Sequence, residues 1–248
     1  MRERVSTIIG KVPVILVAPH GADDTNTAVI AEHAAKQLNC YAVINRGFER
    51  SNVVDVDKDK ADCNRIDHAK KDVVFDEFLR PIIKFKERCL QKSLTKKLQT
   101  GIWSGKYPMS DPVHIFHIHG CDNSVHNEAN EPVEVIIGYG LGIKKDSLTC
   151  DEWRKNCFVD IYRNYANDGD VFIAKGGSRF AGRDSNNLNQ YFRKHEMDAN
   201  VHSMQLEFPF SARNSESRAV LTAMLLSTVI LDYLSFEQYE KEPKPKFI

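Results

Sequence analysis

Two histidine-glycine pairs in the 248-residue chain each end an apolar run: VILVAPHGADD at 14–24 and VHIFHIHGCDN at 113–123. Histidine nitrogens and carboxylate oxygens are the ligands a zinc ion takes when it serves hydrolysis. Three protein ligands hold the ion, and a fourth position stays open for water. His20, Asp23 and His119 supply that set. The H-x-x-D spacing works if a turn after the strand returns the third residue toward the histidine, and Gly21 frees the backbone to bend. Asp24 is the alternative acidic ligand if the turn takes a different form. His117 lies on the same strand face as His119, because strand side chains alternate. It reads as a supporting or core histidine, and His114 as structural.

A general base is the next requirement. Glu207 lies within the apolar strand pattern MQLEFPF, where an ionised carboxylate is expensive unless paired or used. In a metal-water hydrolase such a group takes a proton from the activated water and delivers it to the leaving amine. The string DCNR at 62–65 adds an anion receptor, with Arg65 able to fork onto a carboxylate and Asn64 to fix it from the side. Cys121, directly after His119-Gly120, reads as a small filler.

These residues need strand ends to carry them. Val14 to Pro19 reads as a buried strand, Asn26 to Leu38 as a helix, and Cys40 to Asn45 as a second strand, which completes a β-α-β unit. Residues 51–70 suit a polar loop over the sheet, and 74–98 a long amphipathic helix that Pro81 kinks or restarts. Further strands are expected at 113–119, 132–139, 171–175 and 201–208, with helices at 151–165, 185–195 and 215–234. This alternation predicts a three-layer α/β/α sandwich around a mixed, mostly parallel sheet, in one domain over 1–248 with a loosely held tail at 240–248. In such sheets ligands collect beyond the carboxyl ends of the strands, where the histidines fall.

Composition narrows the partners. Lys plus Arg and Asp plus Glu both total 34, so no global field favours nucleic acid or an anionic membrane. No run carries the roughly 18 to 20 uninterrupted apolar residues of a membrane span. Six cysteines without a CxxC pair point to reduced thiols, and the chain reads as a cytoplasmic protein acting on a small-molecule carboxylate. Oligomeric state is left open.

The order PHG at 19–21, D-x-N-R at 62–65, IHG at 118–120 and QLE at 205–207 resembles the N-formylglutamate amidohydrolase family. More distantly it is similar to the aspartoacylase, succinylglutamate desuccinylase and zinc carboxypeptidase group. The resemblance implies a phosphorylase/hydrolase-like fold, one catalytic zinc and hydrolysis of the amide of an N-acyl amino acid. His20 and His119 match its zinc-binding histidines, and Asp23 falls where the wider group has the acid of H-x-x-E. Glu207 matches the general base, with Asn64 and Arg65 matching the pair that holds the substrate carboxylate. The chain departs in its aspartate ligand, in HIHG where relatives favour D-x-H-G, and in the segment 176–195. There Arg179, Arg183 and Tyr191 are candidate substrate contacts, with Arg183 taken as a binding residue.

Two other readings stand beside this one. A non-catalytic protein could hold a metal or anion on the same scaffold, since a fold never establishes activity. A zinc carboxypeptidase-like peptidase is the alternative enzyme. GYGLG at 138–142 lacks the third glycine of a dinucleotide loop, so a nucleotide site is disfavoured.

Overall fold

A strand apolar on both faces belongs in the middle of a sheet that is covered on both sides. In the computed structural model of the chain, which describes residues 3–100, 112–142, 148–166, 168–194 and 200–241, that is where β2 (Val12–Ala18) lies. It runs parallel to β3 (Cys40–Asn45) on one side and to β4 (Val113–Cys121) on the other. β4 pairs in parallel with β7 (Val201–Pro209) along its whole length. β5 (Val135–Gly138) joins β7 antiparallel and carries β6 (Val171–Ile173) parallel at one edge, and β1 (Val5–Ile8) closes the other edge antiparallel to β3. The sheet is therefore mixed and mostly parallel, with seven strands in the order β1-β3-β2-β4-β7-β5-β6.

Strand alternation sorts the side chains into two cores. Val14, Leu16, Phe116, Ile118, Met204 and Leu206 face the layer of α1 (Thr27–Leu38), α5 (Glu152–Tyr165) and α7 (Glu216–Lys241). Ile15, Val17, Val113 and Ile115 face the opposite layer, where α4 (Arg80–Thr100) and α6 (Leu188–Lys194) pack. His117, His119, Gln205 and Glu207 continue that second face toward the carboxyl ends of β4 and β7. α7 is long and apolar enough by composition to cross a membrane over Glu216–Phe236. Its Ala219, Ala223, Leu226, Ile230 and Tyr233 are buried in the first core beside α1 and α5.

Two elements depart from the expectation. β1 was not foreseen, because four residues with one buried side chain carry too little apolar pattern to stand out. The 51–70 loop contains a 3₁₀ turn at Val56–Lys58 and the short helix α2 (Ile66–Ala69). Pro81 falls at the start of a new helical segment, as its lack of an N–H predicts. α3 (Asp72–Val74) leads into a π turn at Phe75–Leu79, and Pro81 is the second residue of α4. The wider turn just before Pro81 accommodates a residue with no N–H to donate. Residues 242–248 of the expected tail and His195 at the end of the expected 185–195 helix lie outside the described residues.

Candidate metal centre

The turn after β2 is helical in form. The amide N–H groups of Asp23 and Asp24 both donate to the carbonyl of His20, at 2.9 and 2.7 Å, before Asn26 takes a left-handed conformation (φ 60°) and α1 begins. One helical turn sets residue i+4 on the face of residue i, so Asp24 comes back under His20. Their closest approach is 3.6 Å, from His20 Nδ1 to Asp24 Oδ2. Asp23 points aside and accepts from the backbone N–H of Arg50 at 2.8 Å. The observed spacing is thus H-x-x-x-D, with Asp24 in the position that the sequence reading gave to Asp23. Gly21 is required for space and not for an unusual φ, since a Cβ there would stand 2.4 Å from the carbonyl oxygen of Asn45.

β4 delivers His119. Its ring centroid is 5.0 Å from that of His20, edge to face. One ligand atom each from His20, Asp24 and His119 lies within 4.8 Å of the others, and these are the residues that converge this way among those described. Glu207 is the register partner of His119 on β7, so the two side chains leave the sheet on the same face. Both line a cleft of about 330 Å³ with His20, Asp24, Arg50 and Asn64.

The protonation preferences of the three groups differ. Burial drives the pKa of His119 well below its ordinary value, helped by the neighbouring His20, which keeps the imidazole neutral as a ligand must be. Its Nε2 is buried and has no hydrogen-bond partner. Such an orphaned acceptor is costly without an occupant. For Asp24, burial pushes upward but is outweighed by the hydrogen bond and charge of His20, the Gly120 N–H at 3.0 Å and Arg50, which hold the carboxyl at about 2. Asp62 Oδ1 stands 2.7 Å from His20 Nε2, the contact that fixes a ligating ring and leaves Nδ1 to face Asp24. For His20, burial pushes downward but is outweighed by the hydrogen bonds to Asp24 and Asp62, which raise its pKa, so a metal there must displace a proton. Two imidazole nitrogens and one carboxylate form a fitting donor set for zinc.

Glu207 behaves differently. Burial raises its carboxyl to about 7, against the opposing hydrogen bond that Gln205 Nε2 donates to Oε1 at 2.7 Å, with Asp24 adding a like charge. A carboxyl poised there exchanges protons near neutrality. Cys121 is held as a thiol, pushed up to about 12 by burial and the nearby Glu207, which agrees with a filler role. No disulfide joins any of the six cysteines.

Asn64, Arg65, Arg179 and Arg183 line a second, adjoining cleft of about 970 Å³. It shares Asn64, Arg179 and Asn187 with the first and adds Arg65 and Arg183. Asn64 Oδ1 is buried without a partner. Arg65 forks onto Asp67 at 3.2 and 2.7 Å, so its guanidinium is engaged beside the second cleft and not inside the first. Tyr191 packs against Phe192 and under Lys70, away from both clefts. His117 donates to or accepts from Ser203 Oγ at 2.9 Å and is buried in the sheet, as a supporting histidine would be.

Three residues escaped the sequence reading. Arg50 reaches His20 and Asp24 from the polar loop. Asp62 was visible only as the first letter of DCNR. Arg213 donates to the carbonyls of Phe208, Thr25 and Cys121 at 2.9, 2.8 and 2.8 Å, joining the ends of β7 and β4 to the turn after β2. Only its place just beyond the last strand marked it.

No protein-family model matches the chain, and no curated protein sequence matches it. Solved structures do. A gene product of Agrobacterium tumefaciens is similar over 96% of this chain and 97% of its own, at 14% identity and a TM-score of 0.55. An N-formylglutamate amidohydrolase from Ralstonia eutropha JMP134 is similar over 96% of this chain and 100% of its own, at 9% identity and a TM-score of 0.50. A metallo-carboxypeptidase from Burkholderia cenocepacia is similar over 94% of this chain and 61% of its own, at 12% identity and a TM-score of 0.50. The chain therefore shares the α/β fold of these proteins, as its motifs predict.

Proposed function

We propose that the chain is a metal-dependent hydrolase of C–N amide bonds, acting on a small N-acyl amino acid or a peptide-like carboxylate. The observation that carries this reading is the convergence of His20, Asp24 and His119 in one cleft with a buried Glu207 whose pKa is near neutral. The fold shared with an amidohydrolase and a metallo-carboxypeptidase supports the same class of chemistry.

His20, Asp24 and His119 would hold the ion, with zinc the metal that this donor set favours. Such an ion, when bound, polarises the scissile carbonyl and lowers the pKa of water toward about 7. Glu207 takes the proton of the attacking water and then gives it to the leaving nitrogen, so that the amine departs neutral. Gln205 holds the carboxyl by Oε1 and leaves the other oxygen for the proton. Asn64 lies where the two clefts meet and is placed to fix the substrate, whose carboxylate end extends toward Arg183 and Arg65. That orientation converts a bimolecular encounter into an aligned one.

The test is metal analysis of the purified protein, followed by a panel of N-formyl, N-acetyl and N-succinyl amino acids and small peptides. Metal-dependent amine release that is lost in Glu207→Gln is expected. Metal uptake with no turnover on any of the panel would favour a binding protein on this scaffold, and absence of metal uptake would sink both.

A further inference from the structure

Arg50 comes from none of the strand ends that bear the chemistry, yet it touches two of the three converging residues. Its Nη2 stands 2.6 Å from His20 Nδ1 and 2.8 Å from Asp24 Oδ1. The contact is held from several sides. Asp23 accepts the backbone N–H of Arg50, so the two adjacent aspartates grip one residue, the first by its main chain and the second by its side chain. Asp62 at His20 Nε2 favours the tautomer with the proton on that nitrogen. Nδ1 then presents a lone pair, and the guanidinium N–H meets it.

A zinc ion sits about 2.0 to 2.1 Å from a ligating imidazole nitrogen. A guanidinium nitrogen 2.6 Å from Nδ1 uses the same lone pair, and arginine is charged at every pH the protein meets. The two cations cannot share the atom. Building on the metal-hydrolase reading above, we infer that Arg50 is a positioning residue that stands in for the ion on His20 and Asp24 and is displaced when a divalent cation binds. It keeps a largely buried carboxylate and its neighbouring imidazole in ligand geometry and adds a positive charge beside Asp24. His119 Nε2 takes no part in this substitution and has no partner, so it is the attachment open to an arriving ion. Metal affinity is then scaled down to the fraction of molecules in which the arginine has left the pair.

Zinc affinity of the full chain, measured by competition with a chromophoric chelator, tests this in wild type, Arg50→Met, Arg50→Lys and Arg179→Met. The Arg179 variant removes a positive charge from the same cleft without touching His20 or Asp24. Arg50→Met should bind zinc about tenfold tighter or more. Arg50→Lys should fall between it and wild type, because an ammonium keeps the positive charge but is more strongly hydrated than a guanidinium and so holds the pair less firmly. Arg179→Met should move little. In chelator, Arg50→Met should melt below wild type, and zinc should reverse that order. Equal or weaker binding by both Arg50 variants, or the same gain in Arg179→Met, overturns the inference and leaves the metal reading standing. If neither wild type nor either Arg50 variant takes up zinc, the metal reading falls and the inference with it.

Discussion

The two histidine-glycine strand ends look alike in sequence and are built differently. At the end of β2, His20 has both ring nitrogens engaged, Nε2 by Asp62 and Nδ1 by Arg50. At the end of β4, His119 carries a buried Nε2 with no partner. The glycines differ in the same way. Gly21 lies under a backbone carbonyl of β3, and Gly120 lies under the guanidinium of Arg213. One half of the site is thus pre-assembled by side chains from a surface loop, while the other is rigid strand with an unmet acceptor. Two histidines drawn from such unlike settings should respond unequally to mutation.

The largest contrast expected is chemical. Glu207→Gln should lower kcat by about 10² to 10⁴ while bound metal is retained, because it removes proton transfer and no ligand. Asp24→Ala should reduce bound metal to background, whereas Asp23→Ala should leave it in place; metal analysis of the pair decides which aspartate belongs to the centre. Asp62→Asn should weaken metal binding by about 10- to 100-fold through His20, since among the described residues no carboxylate hydrogen bond supports His119 as Asp62 supports His20. If the β4 half is as adjustable as the β2 half, His119→Ala will match Asp62→Asn instead of exceeding it.

Stability measurements sharpen the same contrast. The carboxyl of Glu207 is raised to about 7 from an ordinary value of 4.5, so its protonated form is the one that folding favours. Its contribution is complete below about pH 4.5 and is lost as pH rises through about 7. In chelated protein, Glu207→Gln should therefore stabilise at pH 8 by up to about 3 kcal/mol, and this gain should vanish near pH 4.5. Denaturant titrations at the two pH values check the sign. Smallest is the difference between Gly21→Ala and Gly120→Ala, each expected to cost about 1 to 3 kcal/mol by overpacking. Gly21 should be the worse, because a main-chain carbonyl yields less than a side chain.

What could be seen beforehand follows from where each residue stands in its element. His20, His119 and Glu207 adjoin or interrupt apolar runs, and β4 and β7 are regular enough that period two puts His119 and Glu207 on one face. Asp24 was not distinguishable from Asp23, because the choice depends on a helical turn that two amide bonds to one carbonyl create. Arg50 and Asp62 belong to the polar stretch that composition assigns to solvent. Their roles arise only when that loop docks across the sheet, which no local pattern encodes. Arg65 was legible as an anion receptor but not as a partner of Asp67, two residues away. The sheet's central strands were plain from their apolar content, and β1 was hidden by its brevity.

Arg213 binds three carbonyls from three different segments, and its guanidinium is what a Cβ at Gly120 would meet. Its consequence is kinetic. The turn after β2, the end of β4 and the end of β7 cannot loosen one at a time without stripping a buried guanidinium of an acceptor. Their amides should therefore open as one cooperative unit in native-state hydrogen exchange, at a free energy close to that of global unfolding. The pre-assembled loop around Arg50 lies outside this clamp, and it is free to exchange on its own faster clock.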